Sequence, residues 1–171
     1  MICKATIKDI DAIMAIVRDA QEALRELGID QWQDGYPTKS IIERDIDMGV
    51  GYVYNGAEGI VGYAAIVLSG EEAYNQIAKE EWGTGDDYVV VHRICVKRGT
   101  TRKGVASALM QKAKELAIKA GYSGFRIDTH SGNVRMLTML EKLGFSYRGI
   151  IEYESGKRLA YDLKFENSTM L

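Results

Sequence analysis

The sequence contains few of the residues that mark secreted, metal-binding or membrane-spanning proteins. Among its 171 residues are two cysteines, Cys3 and Cys95, and two histidines. The cysteines are far apart and have no metal-ligand neighbours, so neither a metal site nor a disulfide framework is predicted. We expect both to be reduced packing residues. Since no apolar run approaches about 18 residues, no membrane-spanning segment is predicted either.

Charge of one sign is also scarce. The formal net charge is −2 and the pI is about 5.8. No basic face stands out beyond residues 97–104, which argues against nucleic acid as the main partner. The N-terminal stretch MICKATIKDID has no signal-peptide hydrophobic region, which predicts a cytoplasmic protein. With a single proline, Pro37, in a loop, the length fits one domain covering residues 1–171.

The most informative stretch is YVVVHRICVKRGTTRKGVASAL, at 88–109. A β-branched apolar segment runs into a basic, glycine-bearing turn, and residues with helical spacing begin near Gly104. The first turn of a helix carries N–H groups without helical partners and roughly half a positive charge, so it favours a phosphate. Taken alone, the loop is equally compatible with a solvated basic turn.

Spacing excludes two common phosphate-binding patterns. Gly99 and Gly104 are separated by four residues, as in a P-loop, but Val105 and Ala106 follow where Lys and Ser/Thr are required. The three glycines of a dinucleotide fingerprint do not occur here. The phosphate compound must therefore belong to another class.

The segment TRKGVA at 101–106 resembles the pyrophosphate loop Q/R-x-x-G-x-G/A of the GNAT superfamily of acetyl-coenzyme A-dependent N-acetyltransferases. Asn133 and LEKLGF at 140–145 are similar to the family's Asn…LYEKLGF segment. The chain departs from the pattern at Thr101, in place of Gln or Arg, and at Leu140, in place of a Tyr that often serves as general acid. The resemblance implies direct attack of a primary amine, of a small molecule or peptide, on acetyl-CoA.

The resemblance also implies a set of residues that bind acetyl-CoA as co-substrate. Part of this set has independent support, because the basic residues supply positive charge and Gly104 lets the main chain approach a phosphate. The set consists of Ile94, Cys95, Val96, Arg102, Lys103, Gly104, Val105, Ala106, Ser107 and Asn133. Lys97 and Arg98 are expected to add charge to the loop.

Acetylation of an amine requires proton transfer. An alkylammonium with a pKa of about 10.4 has no lone pair, so a base must deprotonate it, and an acid should protonate the departing thiolate. His92 is a candidate base, since imidazole titrates near 6.5 and strand alternation places His92 on one face with Ile94 and Val96. His130, at the next strand's end, is a candidate base or acid, and Asp128 could orient either histidine. The alternatives are a half-buried, hydrogen-bonded His92 and a solvated His130.

Trp32 and Tyr36 are candidate acceptor-binding residues, because the family places acceptor recognition in the loop that contains them. They could equally cover the core. A non-catalytic acyl-CoA-binding module remains a second function, since Leu140 replaces the usual acid. The oligomeric state is left open, with a homodimer among the options.

Periodicity predicts a mixed α/β protein in the order β-α-α-β-β-β-α-β-α-β-β. The resemblance implies a GNAT-like mixed, mostly antiparallel central sheet flanked by helices on both faces. The first strand is predicted at 2–7, and the doubtful helical pattern at 71–82 is left out of the order.

Overall fold

A computed structural model of the protein describes residues 1–100 and 104–166. These residues form a mixed α/β fold with a seven-stranded sheet and four α-helices. The strands are β1 (Ile2–Lys4), β2 (Gly51–Gly56), β3 (Gly59–Val67), β4 (Tyr88–Val96), β5 (Gly124–Thr129), β6 (Ser146–Tyr153) and β7 (Gly156–Lys164). The helices are α1 (Ile10–Glu26), α2 (Lys39–Asp47), α3 (Val105–Lys119) and α4 (Val134–Lys142).

The order of strands and helices along the chain is the predicted one. Across the sheet the order is β1-β2-β3-β4-β5-β7-β6. The pairs β1–β2, β2–β3, β5–β7 and β6–β7 are antiparallel. The pair β4–β5 is parallel, through residues 88–90 and 124–126. A parallel pair needs a crossover connection, and α3 lies in the segment that joins these two strands.

One predicted element was wrong in detail, and the helical pattern left out of the order is resolved. The first strand ends at Lys4 instead of residue 7, because the Asp9 carboxylate accepts hydrogen bonds from Thr6 N and Oγ1, at 2.7 and 2.9 Å. This cap begins a 3₁₀ turn that runs directly into α1. The stretch at 71–82 contains two short 3₁₀ helices, Glu72–Gln76 and Lys79–Glu81, instead of one helix.

The chain divides into two compact units. Unit 1 comprises the described residues of Met1–Ile66 and Val91–Lys112, and unit 2 comprises Val67–Val90 and the described residues from 113 onward. Each has its own apolar core. Unit 1 buries Ala5, Ile13, Ile16, Val17, Ile42, Val53, Tyr63 and Cys95. Unit 2 buries Tyr74, Ile77, Trp82, Tyr88, Val90, Ile151 and Ala160.

The two cysteines differ in their surroundings. Cys95 is a buried packing residue, as predicted, whereas Cys3 is exposed and does not belong to the core. Neither forms a disulfide. Among the described helices, none is long and apolar enough to cross a bilayer.

Candidate functional site

Helix α3 begins where the sequence predicted a phosphate-binding helix. The carbonyl of Gly104 accepts a hydrogen bond from Ala108 N at 2.9 Å, so Gly104 immediately precedes the first turn. Gly104 is exposed, has a φ of +74°, and a Cβ built there would meet no heavy atom within 4 Å. The positive φ and the free space at Gly104, directly before the first turn of α3, are compatible with an anion at the helix start.

Gly62 on β3 lets α3 pack closely at this point. A Cβ at Gly62 would lie 2.5 Å from Val105 Cγ1 and 3.3 Å from Leu109 Cδ1. Val105 and Leu109 are 4% and 0% exposed, so neither side chain has room to move away. Gly62 was not among the predicted residues, although a glycine inside an apolar strand pattern often marks a close approach of this kind.

The charge of Arg98 is directed toward α1. Its backbone N–H donates to Asp19 Oδ2 at 3.0 Å, and its Nη2 donates to Glu26 Oε1 at 2.5 Å. We expected Arg98 to supply charge to the phosphate loop; its guanidinium pairs with the exposed Glu26 of α1, and its role in the loop stays a prediction. Arg102 and Lys103, predicted to contact the phosphate, lie outside the described residues together with Thr101.

The regular alternation of faces predicted along β4 is interrupted at Arg93. Arg93 has a φ of +54°, in the left-handed region that strands avoid. A strand with such a residue does not keep its period of two, so a face shared by His92, Ile94 and Val96 no longer follows from their spacing. His92 and Ile94 are half-buried on either side of this irregularity.

Arg93 joins two polar side chains of unit 1, Asp45 and Tyr36. Its Nε and Nη2 donate to Asp45 Oδ2 and Oδ1, at 2.8 and 2.6 Å, and its Nη1 donates to the Tyr36 hydroxyl at 3.0 Å. Tyr63 OH donates to Asp45 Oδ2 at 2.7 Å. Burial alone would lower the pKa of Arg93, but its contacts with Asp45 and Tyr36 raise the pKa above the ordinary value. The guanidinium therefore stays charged.

The two loop aromatics occupy different environments. Trp32 is half-buried and packs against the core of unit 1, which agrees with the core-covering alternative. Its ring lies edge-on to Tyr36, with centroids 6.2 Å apart. Tyr36 is also half-buried, but its hydroxyl contacts Arg93 and its carbonyl accepts from Gln21 Nε2 at 2.9 Å. The sequence did not predict that β4 would hold this loop.

In unit 2, His130 accepts a hydrogen bond from Gly132 N at its Nδ1, over 2.9 Å. One of the two ring nitrogens of His130 is therefore engaged by the backbone of the turn that follows β5. Asn133 Oδ1 accepts from Met136 N at 3.3 Å, which confirms Asn133 as the cap of α4.

Asp128 is bound by two phenols. Its Oδ2 accepts hydrogen bonds from Tyr74 OH and Tyr153 OH, both at 2.9 Å. Burial first, and the charge of Asp128 second, raise the pKa of both tyrosines above the ordinary range. Leu140, at the position of the family's tyrosine, is 0% exposed. A hydrophobic side chain fills that space completely.

The model of the acetyltransferase (GNAT) family matches residues 14–145 of the sequence. The chain belongs to the GNAT acetyltransferase family. Its sheet, its four described α-helices and the chain order of these elements are those of a GNAT fold, as the sequence predicted. A search of curated proteins found no match to the chain.

Solved GNAT structures support this assignment. An acetyltransferase of the GNAT family from Streptococcus agalactiae 2603 is 34% identical, with a TM-score of 0.87, over 98% of this chain and 96% of that chain. A GNAT acetyltransferase from Listeria monocytogenes 4b F2365 is 21% identical, with a TM-score of 0.74, over 96% and 94%. The ribosomal-protein-alanine N-acetyltransferase from Brucella melitensis is 17% identical, with a TM-score of 0.69, over 96% and 99%. The latter two are similar in fold alone.

Proposed function

We propose that the protein is an N-acetyltransferase that moves an acetyl group from acetyl-CoA to a primary amine of a small molecule or peptide. Acetyl-CoA supplies the acetyl group as a reactive thioester. Family membership supports acetyl transfer in general. The observation that carries the proposal for this chain is the open backbone at Gly104, directly before the first turn of α3.

Each cofactor-binding residue has a proposed role. The N–H groups of Val105, Ala106 and Ser107 bind the pyrophosphate, and Arg102 and Lys103 add positive charge. The backbone of residues 94–96 binds the pantetheine arm, with Asn133 as a further contact. Cys95 contributes through its backbone only, because burial raises the pKa of its thiol to about 12 and keeps it protonated.

We favour His92 as the base because it lies on β4, close in sequence to the proposed cofactor-binding residues 94–96. His92→Gln should therefore lower kcat more than His130→Gln, with acetyl-CoA affinity unchanged in both. Equal losses would leave the two histidines without distinct roles.

Coenzyme A release in the presence of a panel of amines tests the proposed activity. The panel should contain polyamines, aromatic amines and a peptide that begins with alanine, since one structure of similar fold has the name of a ribosomal-protein-alanine N-acetyltransferase. Amine-dependent release, with the acetylated product detected by mass spectrometry, is the expected result. No release above hydrolysis with any amine would contradict the proposal.

The alternative, a non-catalytic acyl-CoA-binding module, is favoured by one observation. Leu140 fills the position of the usual acid and is 0% exposed. A thiol has a pKa of about 8.5, so the thiolate is a moderately good leaving group and the lost acid need not abolish turnover. Acetyl-CoA binding without release of coenzyme A to any amine would support the alternative.

We further propose that residues 1–171 act as one domain in the cytoplasm. The family match includes residues of both units, which supports a single functional domain. One cooperative unfolding transition, coincident by fluorescence and circular dichroism, is expected. Two separate transitions would contradict it, and sedimentation would distinguish a monomer from a homodimer.

A further inference from the structure

The Arg93 guanidinium connects three segments of unit 1. It projects from β4 and binds Asp45 on α2 through Nε and Nη2. Its Nη1 donates a hydrogen bond to the Tyr36 hydroxyl, in the loop between α1 and α2. The three distances are 2.8, 2.6 and 3.0 Å. A fork-shaped donor that meets a carboxylate through two nitrogens has only one orientation, so the direction of the third nitrogen is also fixed.

Burial makes this arrangement rigid. Asp45 is 4% exposed, and the side chain of Arg93 is 14% exposed. Separating two such charges would leave both poorly solvated, so the pair resists rearrangement. Tyr63 OH, also buried, donates to the same carboxylate and holds it from a third direction. The Tyr36 hydroxyl therefore accepts its hydrogen bond from a guanidinium whose position is fixed, so a shift of Tyr36 would break the bond.

Tyr36 is held at both of its ends. Its carbonyl accepts from Gln21 Nε2, and its hydroxyl accepts from Arg93 Nη1. The Trp32 ring stands edge-on against it. The loop at 29–38 has no helix or strand of its own, so these contacts, together with the packing of Trp32 on the core, help to fix where its two aromatic rings lie. Of these contacts, the hydroxyl bond alone leads to β4, the strand that carries the proposed cofactor-binding residues 94–96.

We propose that Arg93 is a positioning residue that fixes the acceptor loop through the Tyr36 hydroxyl, and that this bond sets which amines the enzyme accepts. The inference rests on the proposed function, because it assigns the loop to acceptor binding. Arg93 itself acts through Tyr36 and does not contact the amine. Its effect should therefore appear in the KM for the amine and in amine selectivity, and not in acetyl-CoA affinity.

The decisive variant is Tyr36→Phe, which removes the accepting oxygen and keeps the ring. Tyr54→Phe is the matched control, because Tyr54 is another half-buried tyrosine of unit 1, on β2 and outside this network. Amide hydrogen exchange of residues 29–38 measures loop order without any need for activity. Loss of a hydrogen bond to a charged group changes an equilibrium constant by about tenfold or more. The amide exchange rate of residues 29–38 and the KM for the amine should therefore both rise about tenfold in Tyr36→Phe.

Arg93→Met tests the other partner, and Tyr36→Phe remains informative if Arg93→Met does not fold. In the double variant, adding Tyr36→Phe to Arg93→Met should have no further effect on the amine KM, since the bond is already lost. Unchanged loop exchange in Tyr36→Phe would overturn the proposal, as would equal changes in Tyr54→Phe. If no amine releases coenzyme A, the proposed function fails while the exchange data still decide whether Arg93 fixes the loop.

Discussion

Each unit contains a buried carboxylate paired with an arginine, but the two pairs hold different kinds of structure. Asp45 in unit 1 is 4% exposed and binds Arg93, and Asp162 in unit 2 is 1% exposed and binds Arg148 at 2.7 Å. Both carboxylates accept further hydrogen bonds, as buried charges must. The difference lies in where those bonds lead.

Asp162 binds the backbone of Gly83 and Thr84. Its Oδ2 accepts from Gly83 N, Thr84 N and Thr84 Oγ1, at 2.7, 3.0 and 3.1 Å. Arg126 donates to Thr84 Oγ1 and to the Thr84 carbonyl, so the same segment is held from a second direction. Thr84 and Arg126 are buried and Gly83 is half-buried, and none of the three is a predicted binding residue. The group around Asp162 therefore serves the fold.

Asp45, in contrast, accepts only side-chain hydrogen bonds from its described partners Arg93 and Tyr63, and Arg93 continues to a half-exposed tyrosine in the candidate acceptor loop. Similar buried ion pairs can thus stabilise a connection in one unit and contact the proposed acceptor loop in the other. The two carboxylates differ because the hydrogen bonds of Asp162 end on the backbone of residues 83 and 84, whereas those of Asp45 lead through Arg93 to the half-exposed Tyr36.

The largest effect is expected for Asp162→Ala. This change leaves Arg148 and two backbone N–H groups without their acceptor, so the free energy of unfolding should fall by about 3–5 kcal/mol. Urea denaturation measures it. Acetyl-CoA affinity of the remaining folded protein should stay unchanged. A loss under about 1 kcal/mol would mean that Asp162 does not fasten the segment.

Asp45→Asn should come next, at about 3 kcal/mol, because Asn keeps one acceptor but leaves the buried Arg93 charge uncompensated. This variant also distinguishes Asp45 from Asp162, since the KM for the amine should rise as well. Titration of the amine at saturating acetyl-CoA gives that value. A stability loss with an unchanged KM for the amine would mean that Asp45, like Asp162, serves the fold alone.

Tyr63→Phe should cost about 1.5–3 kcal/mol at neutral pH, the usual value of a hydrogen bond to a charged group. Burial, and then the bond to Asp45, raise the pKa of Tyr63 above its unfolded value of 10.0. The stabilisation is therefore fully present below pH 10 and is lost as pH rises above it. Unfolding measured at pH 7 and pH 11 should show a smaller decline in Tyr63→Phe than in the unchanged protein. Parallel declines would contradict the assignment.

Arg148→Met should have the smallest effect, about 1–2 kcal/mol, because Asp162 keeps three other donors. The Arg148 side chain is 31% exposed, against 14% for Arg93. Thermal or urea unfolding of this variant beside Arg93→Met tests the ranking. A larger loss for Arg148→Met would show that burial of the arginine does not control the cost.

The order of the elements could be predicted from the sequence because hydrophobic periodicity and capping residues act within a few positions. Gly104, Asn133 and the start of α3 all depend on such local patterns, and the helix start and the Asn133 cap are as predicted. Gly62 was within reach of the same reasoning, since a glycine in an apolar strand is itself a local signal.

The polar networks could not be predicted, because their partners are distant in sequence. Arg93 and Asp45 are 48 positions apart, and Arg98 and Glu26 are 72 apart. No residue close to Arg98 in the sequence indicates that it pairs with Glu26 of α1. The left-handed φ of Arg93 also has no local signal, because arginine is not a residue that favours this conformation.

The proposed pyrophosphate site at the start of α3 is tested by acetyl-CoA binding to two glycine variants. Gly104 and Gly121 border α3 at opposite ends, are both exposed, have φ values of +74° and +81°, and have no heavy atom within 4 Å of a built Cβ. Aspartate at either position therefore carries similar backbone strain, but only Gly104→Asp sets a negative charge against the proposed pyrophosphate. Isothermal titration should show acetyl-CoA affinity reduced about a hundredfold or more in Gly104→Asp and unchanged in Gly121→Asp. Unchanged affinity in a folded Gly104→Asp variant, or equal losses in both, would contradict the account.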